Sequence, residues 1–101
     1  MTIVYFDSSA FVKLVVEEDG TDLAAALWDG CDAAVSSRLA YPEVRAALAT
    51  AARAGRLDPT QQLRAETLWE DFWAASGISG YEPERKPRAW CWRRPRSRQD
   101  T

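Results

Sequence analysis

The feature that most constrains the fold lies near the start of the chain, where the apolar run Ile3-Val4-Tyr5-Phe6 ends on Asp7 and passes through Ser8-Ser9 directly into Ala10-Phe11-Val12-Lys13-Leu14-Val15-Val16. Four successive apolar or aromatic side chains leave no polar face for water, so residues 3 to 6 read as a short parallel strand buried on both sides. The helical pattern resumes within three residues, which predicts a strand handing over to a helix. Open α/β sheets carry their chemistry at that edge. Ser8 and Ser9 offer hydroxyls to cap the helix, which is expected to reach about Glu18 before Asp19-Gly20 breaks it. From position alone Asp7 has two readings: a helix cap favoured by the positive end of the helix dipole, or a metal ligand.

A second helix is expected over about Thr21 to Asp29, with Leu23, Ala26 and Leu27 as its apolar face and Gly30 as its stop. Ala33-Ala34-Val35-Ser36 reads as a second strand. The third helix, about Leu39 to Ala54, repeats Val44, Ala47, Leu48 and Ala51 at i, i+3, i+4 and i+7, with Arg45 and Arg53 turned elsewhere and Gly55 just past the end. Pro42 falls near its first turn, where a missing N–H is tolerated. Asp58-Pro59-Thr60-Gln61 predicts the start of a fourth helix through a cap, a proline at the first helical position and a glutamine three residues after the cap. Its apolar face is Ala65, Leu68, Trp69 and Phe72, with Trp73 at the border.

Past Ser76 the pattern changes. Gly77, Gly80, Pro83, Pro87 and Pro95 break any helix, and the stretch from Arg85 to Arg98 has neither helical nor strand periodicity. Two segments are expected: a globular part over 1–76 and a basic, disordered tail over 77–101. The charge divides accordingly, with a net of −6 over residues 1–80 and +4 over 81–101.

Composition excludes several functions. The chain has 101 residues and 47% hydrophobic residues, enough for one modest core. It has no histidine, which rules out serine-protease-like triads and histidine general bases. Cys31 and Cys91 form neither a disulfide framework nor a zinc motif. The start lacks the basic region of a signal peptide, and no stretch approaches the roughly 20 apolar residues that cross a bilayer. The expectation is a cytoplasmic protein with no membrane association.

Glu43 is the second acidic candidate. It lies at the edge of the buried face, in the opening turns of a helix that follows a strand, on the same sheet edge as Asp7. A first-turn glutamate favoured by the dipole is the alternative reading. Two carboxylates suit magnesium or manganese, hard ions that take oxygen ligands and keep several waters. In the tail, arginines with Trp90 and Trp92 admit RNA binding, but an incidental charged, unfolded end is the preferred reading because no fold presents these side chains.

Three blocks in order carry a family resemblance: Val4-Tyr5-Phe6-Asp7-Ser8-Ser9-Ala10-Phe11-Val12-Lys13-Leu14, then Val35-Ser36-Ser37-Arg38-Leu39-Ala40-Tyr41-Pro42-Glu43-Val44-Arg45-Ala46-Ala47-Leu48, then Ala52-Arg53-Ala54-Gly55-Arg56-Leu57. Over about residues 2 to 75 the chain resembles the N-terminal half of PIN-domain proteins, in particular the VapC-like toxins. The resemblance implies an α/β fold, an incomplete PIN-like domain with a short parallel sheet flanked by helices. It implies a magnesium-dependent endoribonuclease (Mn2+ serving as an alternative ion) of a type II toxin-antitoxin pair, with RNA as substrate, a cognate antitoxin as partner and a homodimer as a further expectation. It assigns metal binding to Asp7 and Glu43 and a supporting hydroxyl to Ser8 or Ser9, of which Ser9 is preferred. The family's later acids are missing, since beyond Asp71 only Glu82, Glu84 and Asp100 remain. The expectation is therefore a truncated or frameshifted form with impaired or no activity. A non-catalytic fragment that binds an antitoxin or a partner subunit is the alternative. Translating the downstream DNA in the other two frames tests the frameshift, which requires the missing aspartates to appear there.

Overall fold

Three residues after the chain enters the sheet it leaves it again, and that handover organises the rest. In a computed structural model, which describes residues 2–76, β1 (Ile3–Tyr5) leads through Phe6 and Asp7 into α1 (Ser8–Val15). There follow α2 (Thr21–Gly30), β2 (Ala33–Val35), α3 (Ala40–Arg53) and α4 (Pro59–Ser76). The strands pair in parallel with Ile3 opposite Ala33, Val4 opposite Ala34 and Tyr5 opposite Val35. The molecule is thus an α/β structure with a short parallel sheet flanked by helices, as expected. The tail expected over 77–101 lies outside the described residues.

Beneath the sheet, aromatic rings fill the core. Phe6 packs on Phe11 at 5.5 Å and edge-on against Trp28 at 5.6 Å, Trp28 meets Phe72 at 5.1 Å, and Phe11 meets Trp69 at 5.0 Å. Val44 and Leu48 of α3 are fully buried in the same cluster, and Ala51 closes the expected stripe. On α4 the expected face is the observed one: Ala65, Trp69 and Phe72 are buried, with Leu68 and Trp73 half-buried beside them.

The α3–α4 connection is built from local signals. Gly55 takes φ +78°, the Gly55 N–H donates to the Ala52 carbonyl and the Arg56 N–H to the Ala51 carbonyl, the paired bonds of a Schellman ending. Three residues later the Asp58 N–H donates to Gln61 Oε1 at 2.9 Å while the Gln61 N–H donates to Asp58 Oδ1 at 2.7 Å. This is the reciprocal capping box that the sequence predicts.

Three expectations are corrected. β1 is not buried on both sides: Val4 is half-buried against the core, whereas Ile3 is 49% and Tyr5 60% exposed on the opposite face of the strand. α2 buries Ala24, Ala25 and Trp28 instead of Leu23, Ala26 and Leu27, leaving Leu23 67% and Leu27 43% exposed. The large Trp28 ring takes the core site, and the two small alanines let the helix approach. Finally, α1 stops at Val15 and not near Glu18. Val16 turns extended there, and Thr21 Oγ1 donates to its carbonyl at 3.3 Å while accepting the Glu18 N–H at 3.0 Å. Gly20 takes φ +90° at this corner, where a Cβ would lie 2.8 Å from Lys13 Cε.

Candidate functional site

The sheet's C-terminal edge is where the sequence places its acidic candidates. The ladder extends one residue past β1, since the Phe6 N–H donates to the Val35 carbonyl at 2.9 Å. The next residue, Asp7, is extended in backbone and is itself the N-cap of α1. Its Oδ1 accepts the Ala10 N–H at 2.9 Å and the Ser9 hydroxyl at 2.8 Å. The capping group is therefore Asp7, and not Ser8 or Ser9 as the hydroxyls suggested. A carboxylate at this position accepts a helix N–H and gains from the dipole as well.

These bonds set the ionisation of Asp7. The Ala10 N–H holds the carboxyl below its ordinary value of 3.8, the Ser9 hydroxyl adds to this, and Lys13 contributes by charge, while partial desolvation works the other way. A carboxyl whose folded-state value lies below the unfolded one stabilises the fold above the unfolded value, and that contribution is lost as pH falls through the folded value. Ser9→Ala is expected to raise the Asp7 value toward 3.8 and to move acid unfolding to higher pH. Carboxyl NMR titration with an acid melt measures both, and an unmoved Asp7 titration would contradict the assignment.

Glu43 stands in the first turn of α3, exposed, two residues after Tyr41. No hydrogen bond or ion pair joins its carboxylate to another side chain among the described residues. The strands are parallel, so α1 and α3 both leave the same sheet edge, and Asp7 and Glu43 lie on that edge in the opening of their helices. The structure brings Ser9 onto Asp7 by direct contact; it shares only the sheet edge between Asp7 and Glu43. No group of three or more His, Cys, Asp or Glu suited to a metal ion occurs among the described residues.

Three residues that the sequence reading gave no role stand nearby. Ser36, buried at the end of β2, donates through Oγ to the Phe6 carbonyl at 2.6 Å. Tyr41 donates its hydroxyl to Glu70 Oε1, and Arg45 reaches the same oxygen at 3.2 Å. The Glu70 acceptor pushes the Tyr41 phenol above its ordinary value. Helical spacing placed Arg45 off the buried stripe, but only the fold shows that α4 supplies its partners. A groove of about 390 Å³ also runs beside Ser8 and Ser9, floored by Val12, Val16, Ala47 and Leu57.

The chemistry of the donor set suits a hard divalent cation. Asp7 is ionised and both of its bonds fall on Oδ1, leaving Oδ2 outside them. Magnesium is commonly held by one or two carboxylates with water completing its octahedron. Asp7 and Glu43 could supply that many.

No family model matches the chain. Among curated proteins, ribonuclease VapC45 of Mycobacterium tuberculosis (strain CDC 1551 / Oshkosh) is 67% identical over 76 residues, covering 75% of this chain and 53% of that protein. Ribonuclease VapC49 of Mycobacterium tuberculosis (strain ATCC 25618 / H37Rv) matches to the same extent. The chain spans about half the length of these curated relatives.

Proposed function

Over three quarters of its length the chain is a VapC-like toxin sequence of the PIN-domain type, and from that premise we propose that it carries the first part of a magnesium-dependent endoribonuclease site. The observation that supports this most directly is Asp7: an ionised carboxylate held at the sheet edge by the Ala10 N–H and the Ser9 hydroxyl. Asp7 is a metal ligand through its carboxylate oxygens. Glu43 is a second ligand or orients the attacking water, and Ser9 keeps Asp7 in its charged form and fixed rotamer. When bound, magnesium (Mn2+ in its place) supplies activation of water and charge neutralisation at the phosphate.

The described residues offer two such carboxylates and no cluster of three. Two carboxylates leave more of the coordination to water and less charge to hold the ion, and we propose on that ground that activity is impaired in this chain. The purified 101-residue protein is expected to cleave RNA far more slowly than a full-length relative. A fluorogenic RNA assay with magnesium, repeated in EDTA, measures this; robust EDTA-sensitive cleavage at a relative's rate would overturn the claim.

The partner side of the proposal is a cognate antitoxin, supported by the groove between α1 and α3 that begins at Ser8 and Ser9. A peptide laid along Val12, Val16, Ala47 and Leu57 would reach Ser8 and Ser9, the residues that follow Asp7 in the chain. Co-expression with the protein encoded next to this one tests it. A complex formed without nuclease activity would favour a non-catalytic binding fragment over an enzyme. No described helix is long and apolar enough to cross a membrane, and we place the protein in the cytoplasm as part of the same proposal.

A further inference from the structure

We infer that Ser36 is a positioning residue for the candidate metal site: its buried hydroxyl clips the strand end that carries Asp7 to the strand end that leads to Glu43. This rests on the metal-site reading proposed for Asp7 and Glu43 and adds to it a residue that touches neither ion nor substrate.

The parallel ladder reaches Phe6 through its N–H, bonded to the Val35 carbonyl at 2.9 Å. Continued regularly, it would occupy the Phe6 carbonyl with a backbone N–H from beyond Ser36. Instead Ser36 Oγ takes that carbonyl, at 2.6 Å. A side chain thus replaces a backbone rung, and the main chain after Ser36 is released to turn. The turn begins at once, with Ser37 Oγ accepting the Leu39 N–H at 3.1 Å and the Ser37 carbonyl accepting the Ala40 N–H at 3.0 Å. α3 starts at Ala40, and Glu43 lies in its first turn.

Phe6 is therefore held on both backbone groups by the end of β2, one by the ladder and one by the hydroxyl. Asp7 follows Phe6 directly, with its own carboxylate tied to Ala10 and Ser9. The two helix openings are referenced to one another through a bond between residues 30 apart in sequence. Ser36 is only 1% exposed, so water cannot stand in for the hydroxyl, and its loss leaves the Phe6 carbonyl without that donor. Rotation of the Phe6–Asp7 peptide would then move the Asp7 carboxylate relative to α3 without unfolding the core beneath it. Residues that orient metal ligands from behind act in this way.

The test compares Ser36→Thr with Ser36→Val, two side chains of the same shape of which only the first keeps a hydroxyl. Mn2+ affinity is read by EPR titration of the full chain at a temperature where circular dichroism shows each protein folded. Ser36→Thr is expected to bind within about threefold of the unchanged protein, and Ser36→Val at least about tenfold more weakly. Equal affinities for folded Thr and Val variants would overturn the inference, because a purely structural role lowers the melting temperature and leaves the affinity of the folded fraction alone. Should Ser36→Val not fold, Ser36→Cys supplies a weak donor of nearly native size. It is expected to bind with intermediate affinity, and wild-type affinity there would equally overturn the inference. Failure of the unchanged protein to bind Mn2+ would remove the metal-site reading itself, and the positioning role with it.

Discussion

Asp7→Asn is expected to reduce magnesium-dependent RNA cleavage by this chain to background while leaving the protein folded. The two halves of that outcome separate the two functions of one carboxylate. As a cap, Asp7 accepts the Ala10 N–H, a task that the amide oxygen of asparagine performs about as well. As a proposed ligand it contributes a negative charge that asparagine lacks, and with two acids in the site one loss removes half of the ligand charge. Asp7→Ala removes both functions and should also cost about 1 kcal/mol of stability through the lost cap. The comparison needs a cleavage assay and a thermal melt on the same preparations. Cleavage by Asp7→Asn at the unchanged rate would reduce Asp7 to a helix cap.

The largest effect on stability is expected from Trp69→Ala. Trp69 is fully buried and stands where three helices meet: its ring lies 5.0 Å from Phe11 of α1, 6.2 Å from Tyr41 of α3 and 5.5 Å from Trp73 of its own helix. Its Nε1 also donates to the Tyr41 carbonyl at 3.4 Å. Truncating a buried tryptophan costs about 3–5 kcal/mol. A domain this small holds only a few kcal/mol more than that in total. The melting temperature should therefore fall by at least about 15 °C, as read by circular dichroism, with Trp69→Phe losing distinctly less. A melt within a few degrees of the unchanged protein would mean that the three helices are held together elsewhere.

How far the sequence carried these conclusions depends on the residue. Helices α3 and α4 were legible because every level agreed: one apolar stripe, a glycine after the end, and Asp58 and Gln61 at the spacing of a capping box. The extent of α2 was legible too, but its buried face was not, because the helix has two apolar faces at nearly the same spacing. Leu23, Ala26 and Leu27 carry the more hydrophobic side chains, yet the core selected Ala24, Ala25 and Trp28 for shape, which periodicity does not encode. The exposure of Ile3 and Tyr5 was illegible for another reason. An apolar run announces two faces able to be buried, and whether both are depends on partners elsewhere in the fold. At the candidate site, the strand-to-helix junction at Asp7 was legible in the sequence, whereas the Ser9 hydroxyl on its carboxylate is read from the fold. The Ser36 rung was missed although the residue was in view, since a serine ending an apolar strand reads as the start of a loop.

The five-residue link between α3 and α4 also bears on the order of assembly. Its paired helix endings use partners only three to five residues apart, so this hairpin closes with little loss of chain entropy. The β1–β2 pairing and the Ser36 bond join residues about 30 apart and need the intervening helices in place. Local contacts form early and distant ones late. The helical hairpin is therefore expected to form first and the edge that carries Asp7 after it, an order that high φ-values at the hairpin and low ones at Phe6 and Ser36 would show.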